Sequence, residues 1–260
     1  MTVAHSPTLT IAAYQGEALS GSVEENLESI HQILVAAQEE NIDILCFPEC
    51  FLQGYILDRS MAMRISLEVN SALFARMLQT VASNTTTIIL GMIEREEDRL
   101  FNTAVVIEQG MVKGKYRKQH LLTAERVFAS GSASPVFETK GVKYGINICS
   151  DTRHAASVGN MARDGATLLF FPLNNSLPHA VAEAWKDKHI ALWRERARET
   201  SCWILTADVV EQSATNTGFG FTTLLNPQGS IVKQLEHFHS GLLIQTITIE
   251  EQGSLDTPAC

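Results

Sequence analysis

Three polar side chains stand where apolar stretches of the sequence end. Glu49 closes "ILCFPE", Lys118 closes "MVKGKYRK" and Cys149 closes "VKYGINIC". A carboxylate can accept and return a proton, an ammonium group can stabilise an oxyanion, and a thiolate can attack a carbonyl carbon. These three residue types together are sufficient for acyl transfer through a covalent intermediate.

Glu49 lies between Phe47 and Phe51, which places it at the rim of an apolar core. Partial burial raises the pKa of a carboxyl group and suits it to proton transfer near neutral pH. The alternative is a surface glutamate at a junction between a strand and a loop, and the local sequence leaves both open.

Lys118 ends a run of basic residues that is typical of a solvated hairpin. Strand alternation, however, places Lys118 on one face with Tyr116, opposite Lys115 and Arg117. A lysine that points inwards could bring a positive charge to a developing oxyanion.

Cys149 ends an apolar strand, and Ser150, Asp151 and Thr152 begin a turn into the next helix. The field at a helix N-terminus lowers the pKa of a thiol and increases the share of the reactive thiolate. The alternative is a structural thiol, since free cysteine is among the most buried residue types. His120, His154, His179 and His189 are candidate bases for a Cys–His acyltransferase, although none has a distinguishing local pattern.

The bulk composition narrows the function classes. The 260 residues include 45% hydrophobic and 19% charged residues, and the formal net charge is −9. Such a charge argues against a general nucleic-acid or anionic-membrane binder. The first residues lack a signal-peptide pattern, and no apolar run reaches ~18 residues, so we expect a cytoplasmic protein without a membrane span.

The five cysteines do not follow a secreted framework. Their number is odd, and Cys46 and Cys50 form a Cys-x3-Cys pair without a second pair, which does not favour a zinc site. In a reducing cytoplasm we expect free thiols at Cys46, Cys50, Cys149, Cys202 and Cys260.

Hydrophobic periodicity predicts the elements that position these residues. We predict a helix over residues 22–41 with a capping box of Ser22 and Glu25, and a hairpin that turns at Gln109 and Gly110. Further predicted helices cover 61–82, a segment ending near 164, and 181–200; predicted strands cover 8–15, 42–49, 86–92, 142–149, 166–172 and four stretches after 201. The alternation of strands and helices favours a layered α/β fold, and we read residues 1–260 as one domain.

Three stretches, in this order, resemble the nitrilase superfamily of carbon–nitrogen hydrolases: "FPECFLQGY", "YRKQHLLTAERVFASG" and "GINICSDTRH". Weaker matches at "GATLLFFP", "WRERARET" and "GFGFTTLLNPQGSIV" extend the resemblance over nearly the whole chain.

The resemblance implies a four-layer α-β-β-α sandwich and an amidase that cleaves a small linear amide. It implies Glu49 as general base and then acid, Lys118 as oxyanion stabiliser, Cys149 as nucleophile and Glu125 as a supporting acid. It further implies a homodimer or larger homo-oligomer, and the chemistry requires no metal and no organic cofactor. Hydrolysis of an N-carbamoyl (ureido) compound or a nitrile is an alternative, as is a non-catalytic relative that binds a metabolite or partner.

Some positions depart from the family pattern and bear on the substrate. The residues after Arg153 are His154, Ala155 and Ala156 rather than Phe-Pro-Glu, which puts the start of the next helix and the interface near it in doubt. We predict substrate contacts from three residues: Tyr55, Ser150, which is unusually small for its position, and Asn174. Asn174 and Asn175 could equally be turn residues that bond their own backbone.

Overall fold

Two six-stranded β-sheets pack face to face at the centre of the fold in the computed structural model, which describes residues 6–79 and 85–249. The strands are β1 Thr8–Gln15, β2 Ile44–Cys46, β3 Thr87–Glu96, β4 Arg99–Glu108, β5 Met111–Arg117, β6 Phe137–Thr139, β7 Val142–Ile146, β8 Leu168–Pro172, β9 Leu177–Pro178, β10 Trp203–Ala207, β11 Val210–Gln212, β12 Asn216–Phe219, β13 Thr223–Leu225, β14 Ile231–Gln234 and β15 Gly241–Thr248. The first sheet has the order β15-β1-β2-β3-β4-β5, the second has the order β14-β13-β10-β8-β7-β6, and β11, β12 and β9 form a small third sheet.

The helices cover the outer faces of the two large sheets. They are α1 Val23–Glu39, α2 Arg59–Ile65, α3 Ala72–Gln79, α4 Ala155–Arg163 and α5 His179–Thr200, and a short 3₁₀ helix spans Cys149–Arg153. One apolar cluster joins α1 and α3 to the first sheet, and another fills the space between the sheets and reaches α4 and α5. The predicted four-layer α-β-β-α sandwich is therefore confirmed. Within the described ranges, every helix is too short or too polar to cross a membrane.

Strand β1 shows why the strand sequences are almost continuously apolar. Leu9, Ile11 and Ala13 point into the core between the sheets, whereas Ala12 joins the cluster under the helices. Because both faces of the strand are buried, the period-two alternation of polar and apolar residues is lost.

The predicted helix over 22–41 is confirmed, but its predicted capping box is wrong. The Ser22 side chain makes no cap hydrogen bond, because its backbone (φ −98°, ψ 68°) lies outside the extended conformation usual for a capping residue. The hairpin prediction is confirmed, since Gln109 (φ 49°) and Gly110 (φ 71°) turn the chain between β4 and β5.

The predicted helix over 61–82 is wrong as a single element. Helices α2 and α3 occupy this region, and the chain between them pairs with β3. The Leu67 N–H donates to Ile93 O at 3.3 Å, and the Arg95 N–H donates to Leu67 O at 2.9 Å. These backbone bonds hold Leu67 in an extended conformation that a helix cannot provide, and residues 80–82 lie outside the described ranges.

Two of the predicted strands after residue 201 are each divided. The buried carboxylate of Asp208 accepts hydrogen bonds from the N–H groups of Val209 (2.9 Å) and Phe221 (3.1 Å). These bonds draw the chain out of the second sheet and into the small third sheet, whose strand β9 was not predicted.

The strands that precede the candidate residues run in one direction within each sheet. Strand β2 lies parallel to β1 and β3, and β8 lies parallel to β7 and β10. Glu49 follows β2, Cys149 follows β7 and Asn174 follows β8. Carboxyl ends of parallel strands are the usual place for a binding site in α/β folds, and here two sheets contribute such ends to one region.

Candidate active site

Lys118 lies between two buried carboxylates. Its Nζ is 2.7 Å from Glu49 Oε1 and 2.7 Å from Glu125 Oε1. All three residues are at most 1% exposed. A buried ammonium needs compensating charge, and two carboxylates around one ammonium leave the cluster with a net negative charge.

The two carboxylates differ in their other hydrogen bonds. Glu125 Oε2 accepts the N–H of Leu122 at 2.6 Å, and the Asn102 amide donates to Glu49 Oε1 at 2.7 Å. Glu49 Oε2 is buried and has no hydrogen-bond partner among the described residues. Glu49 therefore retains one oxygen that is free to take a proton.

Asn102 was not among the predicted site residues. It lies within β4, is 1% exposed, and also approaches Glu125 Oε1 at 3.4 Å. The sequence does contain a signal for Asn102, which is a polar residue within the largely apolar strand "RLFNTAVVIE". A buried amide requires hydrogen-bond partners, so such a residue is a candidate for a polar site.

The position of Glu49 depends on a glycine in the neighbouring strand. A Cβ atom built on Gly91 would lie 2.1 Å from Pro48 O and 2.7 Å from Cys50 N. Only glycine allows the chain around Glu49 to approach β3 this closely.

Lys118 is held by its backbone at the end of β5. Its N–H donates to Asn102 O, and its carbonyl accepts the N–H of Gly131, both at 2.8 Å. Lys118 and Tyr116 are both buried on one face, whereas Arg117 on the other face pairs with Glu94, so the predicted alternation is confirmed. Burial lowers the pKa of Lys118, but the charges of its acidic neighbours outweigh that effect and hold the pKa above its ordinary value.

Cys149 begins the turn after β7 in a left-handed conformation. Its φ of 44° is unusual for a residue other than glycine, and such strain costs about 1–3 kcal/mol. Thr152 Oγ1 donates to Cys149 O at 2.7 Å and supports the turn.

The thiol of Cys149 is enclosed by protein, although the residue as a whole is only partly buried. Burial raises the pKa of Cys149, the charge of Glu49 raises it further, and Lys118 lowers it. The expected lowering of the thiol pKa is therefore wrong, because desolvation by burial is the largest effect on this group. A thiol of this kind needs a base to become a nucleophile.

Glu49 has the properties of such a base. Burial raises its pKa, Lys118 lowers it, and the charge of Glu125 raises it again, so that the pKa lies above the ordinary carboxyl value. The charge of Glu49 in turn raises the pKa of the Cys149 thiol.

The three predicted substrate-contact residues take different positions. Burial raises the pKa of the Tyr55 hydroxyl, and the charges of Glu49 and Glu125 raise it further. The Asn174 backbone N–H lowers the pKa of the Cys149 thiol, whereas its side-chain Oδ1 accepts the N–H of Ser176 at 3.3 Å. Ser150 is 3% exposed, and its Oγ donates to His120 O at 2.5 Å.

A cleft of about 340 Å³ begins at Tyr55 and Asn174. Its other lining residues come from the loop after β1 and from the third sheet: Glu17, Ala18, Leu19, Ser20, Ser176, Val209, Val210, Glu211, Gln212, Ser213 and Asn216. Two carboxylates are the charged groups of this lining, which contains no lysine or arginine among the described residues. The cleft therefore presents a negative potential beside Tyr55 and Asn174.

The four candidate histidines contact groups other than Cys149 in the described structure. The rings of His120 and His154 stack at a centroid distance of 3.6 Å. His179 bonds Thr217 Oγ1, and His189 is buried against Trp193 with a pKa lowered by burial to about 4. This geometry provides no histidine base for the thiol.

The departure after Arg153 does not abolish the next helix. Helix α4 begins at Ala155, and its N-cap residue His154 makes no side-chain cap hydrogen bond. The Arg153 guanidinium lies over the ring of Trp185 on α5, 4.3 Å from its centroid. This cation–π contact links the turn after Cys149 to the outer helix layer.

The fold agrees with the comparisons with known proteins. The carbon–nitrogen hydrolase family model matches residues 10–256, and the chain belongs to this family, within the nitrilase superfamily.

Among its relatives, a probable nitrilase of Schizosaccharomyces pombe is 28% identical over 90% of this chain and 86% of its own length. An amidase from Nesterenkonia superposes with a TM-score of 0.81 at 21% identity, covering 92% of this chain and 90% of that one; its structure shows the acetamide moiety of fluoroacetamide attached to the active-site cysteine. The glutamine-dependent NAD⁺ synthetase of Acinetobacter baumannii also matches, with a TM-score of 0.81 and 21% identity over 92% of this chain, which spans 45% of the synthetase.

Proposed function

We propose that this carbon–nitrogen hydrolase is an amidase that cleaves a small linear amide through a thioester on Cys149. The observation that carries the proposal is the buried Lys118 ammonium, held 2.7 Å from both Glu49 and Glu125 in the region where Cys149 lies. The covalent adduct on the active-site cysteine of the Nesterenkonia amidase supports the same role for Cys149.

In the first half-reaction Glu49 takes the proton of the Cys149 thiol, and the sulfur attacks the amide carbon. The carbonyl oxygen gains negative charge, which the Lys118 ammonium stabilises. When the C–N bond breaks, Glu49 gives its proton to the leaving nitrogen, so that ammonia or an amine departs and a thioester remains.

In the second half-reaction water replaces the amine. Glu49 accepts a proton from water while the oxygen attacks the thioester carbon. The C–S bond then breaks, the proton returns to the Cys149 sulfur, and the carboxylic acid leaves. Glu125 remains bonded to Lys118 and keeps the ammonium charged through both steps.

The cleft favours amides that are neutral or positively charged. A substrate carboxylate would meet the negative potential of Glu17 and Glu211, for which the described part of the chain shows no ion-pair partner. Ureido acids are therefore expected to be poorer substrates than neutral amides.

Ammonia release from a panel of substrates tests the proposal. The panel comprises neutral linear amides, amides with a terminal amine, ureido acids and nitriles. We expect turnover of the first two groups, a Cys149-linked acyl mass during turnover, and loss of activity in Cys149→Ala. Cys202→Ala is the matched control, because Cys202 is a buried free thiol that bonds Ala166 O at 3.1 Å in another part of the core.

Two results would contradict the amidase. Preferential turnover of nitriles or ureido acids would assign one of the alternative activities to the same site. Absence of turnover with an intact, unlabelled Cys149 would favour a non-catalytic binder.

A further inference from the structure

Asp151 accepts four hydrogen bonds while fully buried. Its Oδ1 receives the N–H groups of Gln119 at 3.2 Å and His120 at 2.7 Å. Its Oδ2 receives the Tyr116 hydroxyl at 2.7 Å and the Ile148 N–H at 3.2 Å. None of these groups belongs to the cluster around Lys118, so the mechanism above leaves this carboxylate without a role.

The four donors come from two segments that carry different parts of the site. Tyr116, Gln119 and His120 flank Lys118 in the chain, and Ile148 directly precedes Cys149. The first segment begins in β5 of the first sheet and continues past its end, and Ile148 follows β7 of the second sheet. The Asp151 carboxylate thus ties the two sheets together at the point where the ammonium and the thiol must meet.

The same residue also stabilises the strained turn of Cys149. Its backbone N–H donates to Ile148 O at 3.0 Å while its side chain accepts the Ile148 N–H. Residues held in sparsely populated backbone conformations persist only when surrounding contacts determine them, and Asp151 supplies contacts on the chain before Cys149.

We propose that Asp151 is a positioning residue that holds the Cys149 sulfur in register with the Lys118 ammonium, an inference that rests on the proposed function for the roles of those two groups. A carboxylate suits this position because three backbone N–H groups and a hydroxyl all face it. An asparagine offers one acceptor oxygen, and its amide nitrogen faces donors at the other position. A misplacement of about 1 Å in a reacting group lowers a rate by about 10²-fold.

The test compares Asp151→Asn with Asp43→Asn. Asp43 accepts the Thr10 N–H at 2.8 Å and pairs with Lys140, and it precedes β2, whereas Glu49 follows that strand. We expect Asp151→Asn to lower kcat by about 10²-fold with KM changed by less than about 3-fold. Asp43→Asn should keep both constants near those of the parent. Loss of activity in proportion to the unfolded fraction, or equal effects in both variants, would overturn the proposal.

A second readout requires no substrate and separates this proposal from the amidase assignment. Labelling of Cys149 by iodoacetamide, measured on its peptide by mass spectrometry, depends on Glu49 and Lys118 lying beside the buried thiol. We expect Asp151→Asn to slow the labelling at least about 10-fold, but less than about 2-fold when Lys118→Ala is already present, since contacting groups are energetically coupled. Equal slowing in both backgrounds would show a structural role instead.

Tyr116→Phe keeps the test decisive if Asp151→Asn does not fold. This variant removes one of the four donors and leaves the carboxylate in place. We expect Tyr116→Phe to slow the labelling of Cys149 by about 5-fold, because one hydrogen bond to a charged group contributes less than the whole set. This slowing should disappear when Lys118→Ala is already present. Labelling that is unchanged by Tyr116→Phe would contradict the proposal. If no substrate of the panel is turned over but the labelling of Cys149 shows this coupling, the amidase assignment is rejected and the positioning role is retained.

Discussion

The Glu49 N–H donates to the Leu173 carbonyl oxygen at 3.2 Å. Glu49 follows β2 in the first sheet, and Leu173 follows β8 in the second, next to Asn174. One backbone hydrogen bond therefore joins Glu49 to the loop that contains Asn174, whose backbone N–H lowers the pKa of the Cys149 thiol. Glu49 and Cys149 follow strands of different sheets, so their relative position depends on how the sheets pack.

Glu49→Gln is expected to lower kcat by about 10²–10⁴-fold, the usual contribution of a general acid–base group. The amide of glutamine can still pack against Lys118 and Asn102, so the fold and KM should change little. Steady-state kinetics measure the effect. Glu68→Gln, which removes the partner of Arg95 from an exposed ion pair, is the control. Comparable activity of Glu49→Gln and the parent would exclude this residue as the base.

The rate of the parent enzyme should depend on pH through the same carboxyl group. Burial raises the pKa of Glu49, so kcat/KM rises with pH at a midpoint above the ordinary glutamate value of about 4.3. The pKa of Lys118 is also above its ordinary value, so activity should persist above about pH 10.4 as long as the fold does. An acid midpoint at or below the ordinary glutamate value would contradict this assignment.

Asn102→Leu is expected to move the acid midpoint to higher pH. The Asn102 amide donates to Glu49 Oε1 and favours its ionised form, so removing this bond raises the pKa of Glu49. Thr103→Val is a matched control, since the Thr103 hydroxyl donates to the buried carboxylate of Glu94 at 2.8 Å on the opposite face of β4. Equal shifts in the two variants would show that the midpoint does not report Glu49.

Lys118→Met should destabilise the fold by about 3–5 kcal/mol at neutral pH, because it leaves two buried carboxylates without their shared cation. Burial already raises the pKa of Glu49, and loss of the Lys118 charge would raise it further above its unfolded value. Stability is therefore greatest below the unfolded pKa and is lost as pH rises through the folded pKa. Denaturant titrations at pH 4.5 and 7.5 measure this change. Lys140→Met, at an exposed pair with Asp43, should cost at most about 1 kcal/mol.

Replacing both cleft carboxylates, as Glu17→Gln with Glu211→Gln, should change substrate preference without changing the chemical step. We expect kcat/KM for amides with a terminal amine to fall and kcat/KM for ureido acids to rise, because the negative potential is removed. The ratio of the two constants should change by about 10-fold. The difference should shrink as salt increases. An unchanged ratio of the two specificity constants would show that the substrate does not pass these residues.

The sequence was sufficient to predict the four layers, because its ordered motifs resemble those of a known family. It was not sufficient for Asn102, whose importance depends on which strand neighbours β5. Nor did it predict the division of the final strands, because Asp208 acts through donors that are brought to it by tertiary structure.

The raised pKa of Cys149 was also beyond the sequence. Strand-turn-helix order predicted a favourable field, but the balance between that field and desolvation depends on how completely the folded chain buries the sulfur. A motif identifies the atoms, and the packing around them determines their charge state.

The first and last strands of the described structure are neighbours. Strand β15 pairs with β1 along its whole length, from Thr8 with Thr248 to Gln15 with Gly241. During synthesis the edge of β1 that pairs with β15 therefore stays unpaired until more than two hundred later residues have been made. An unpaired apolar edge is prone to pair with another chain, so a ribosome that stalls before β15 would release an aggregation-prone protein.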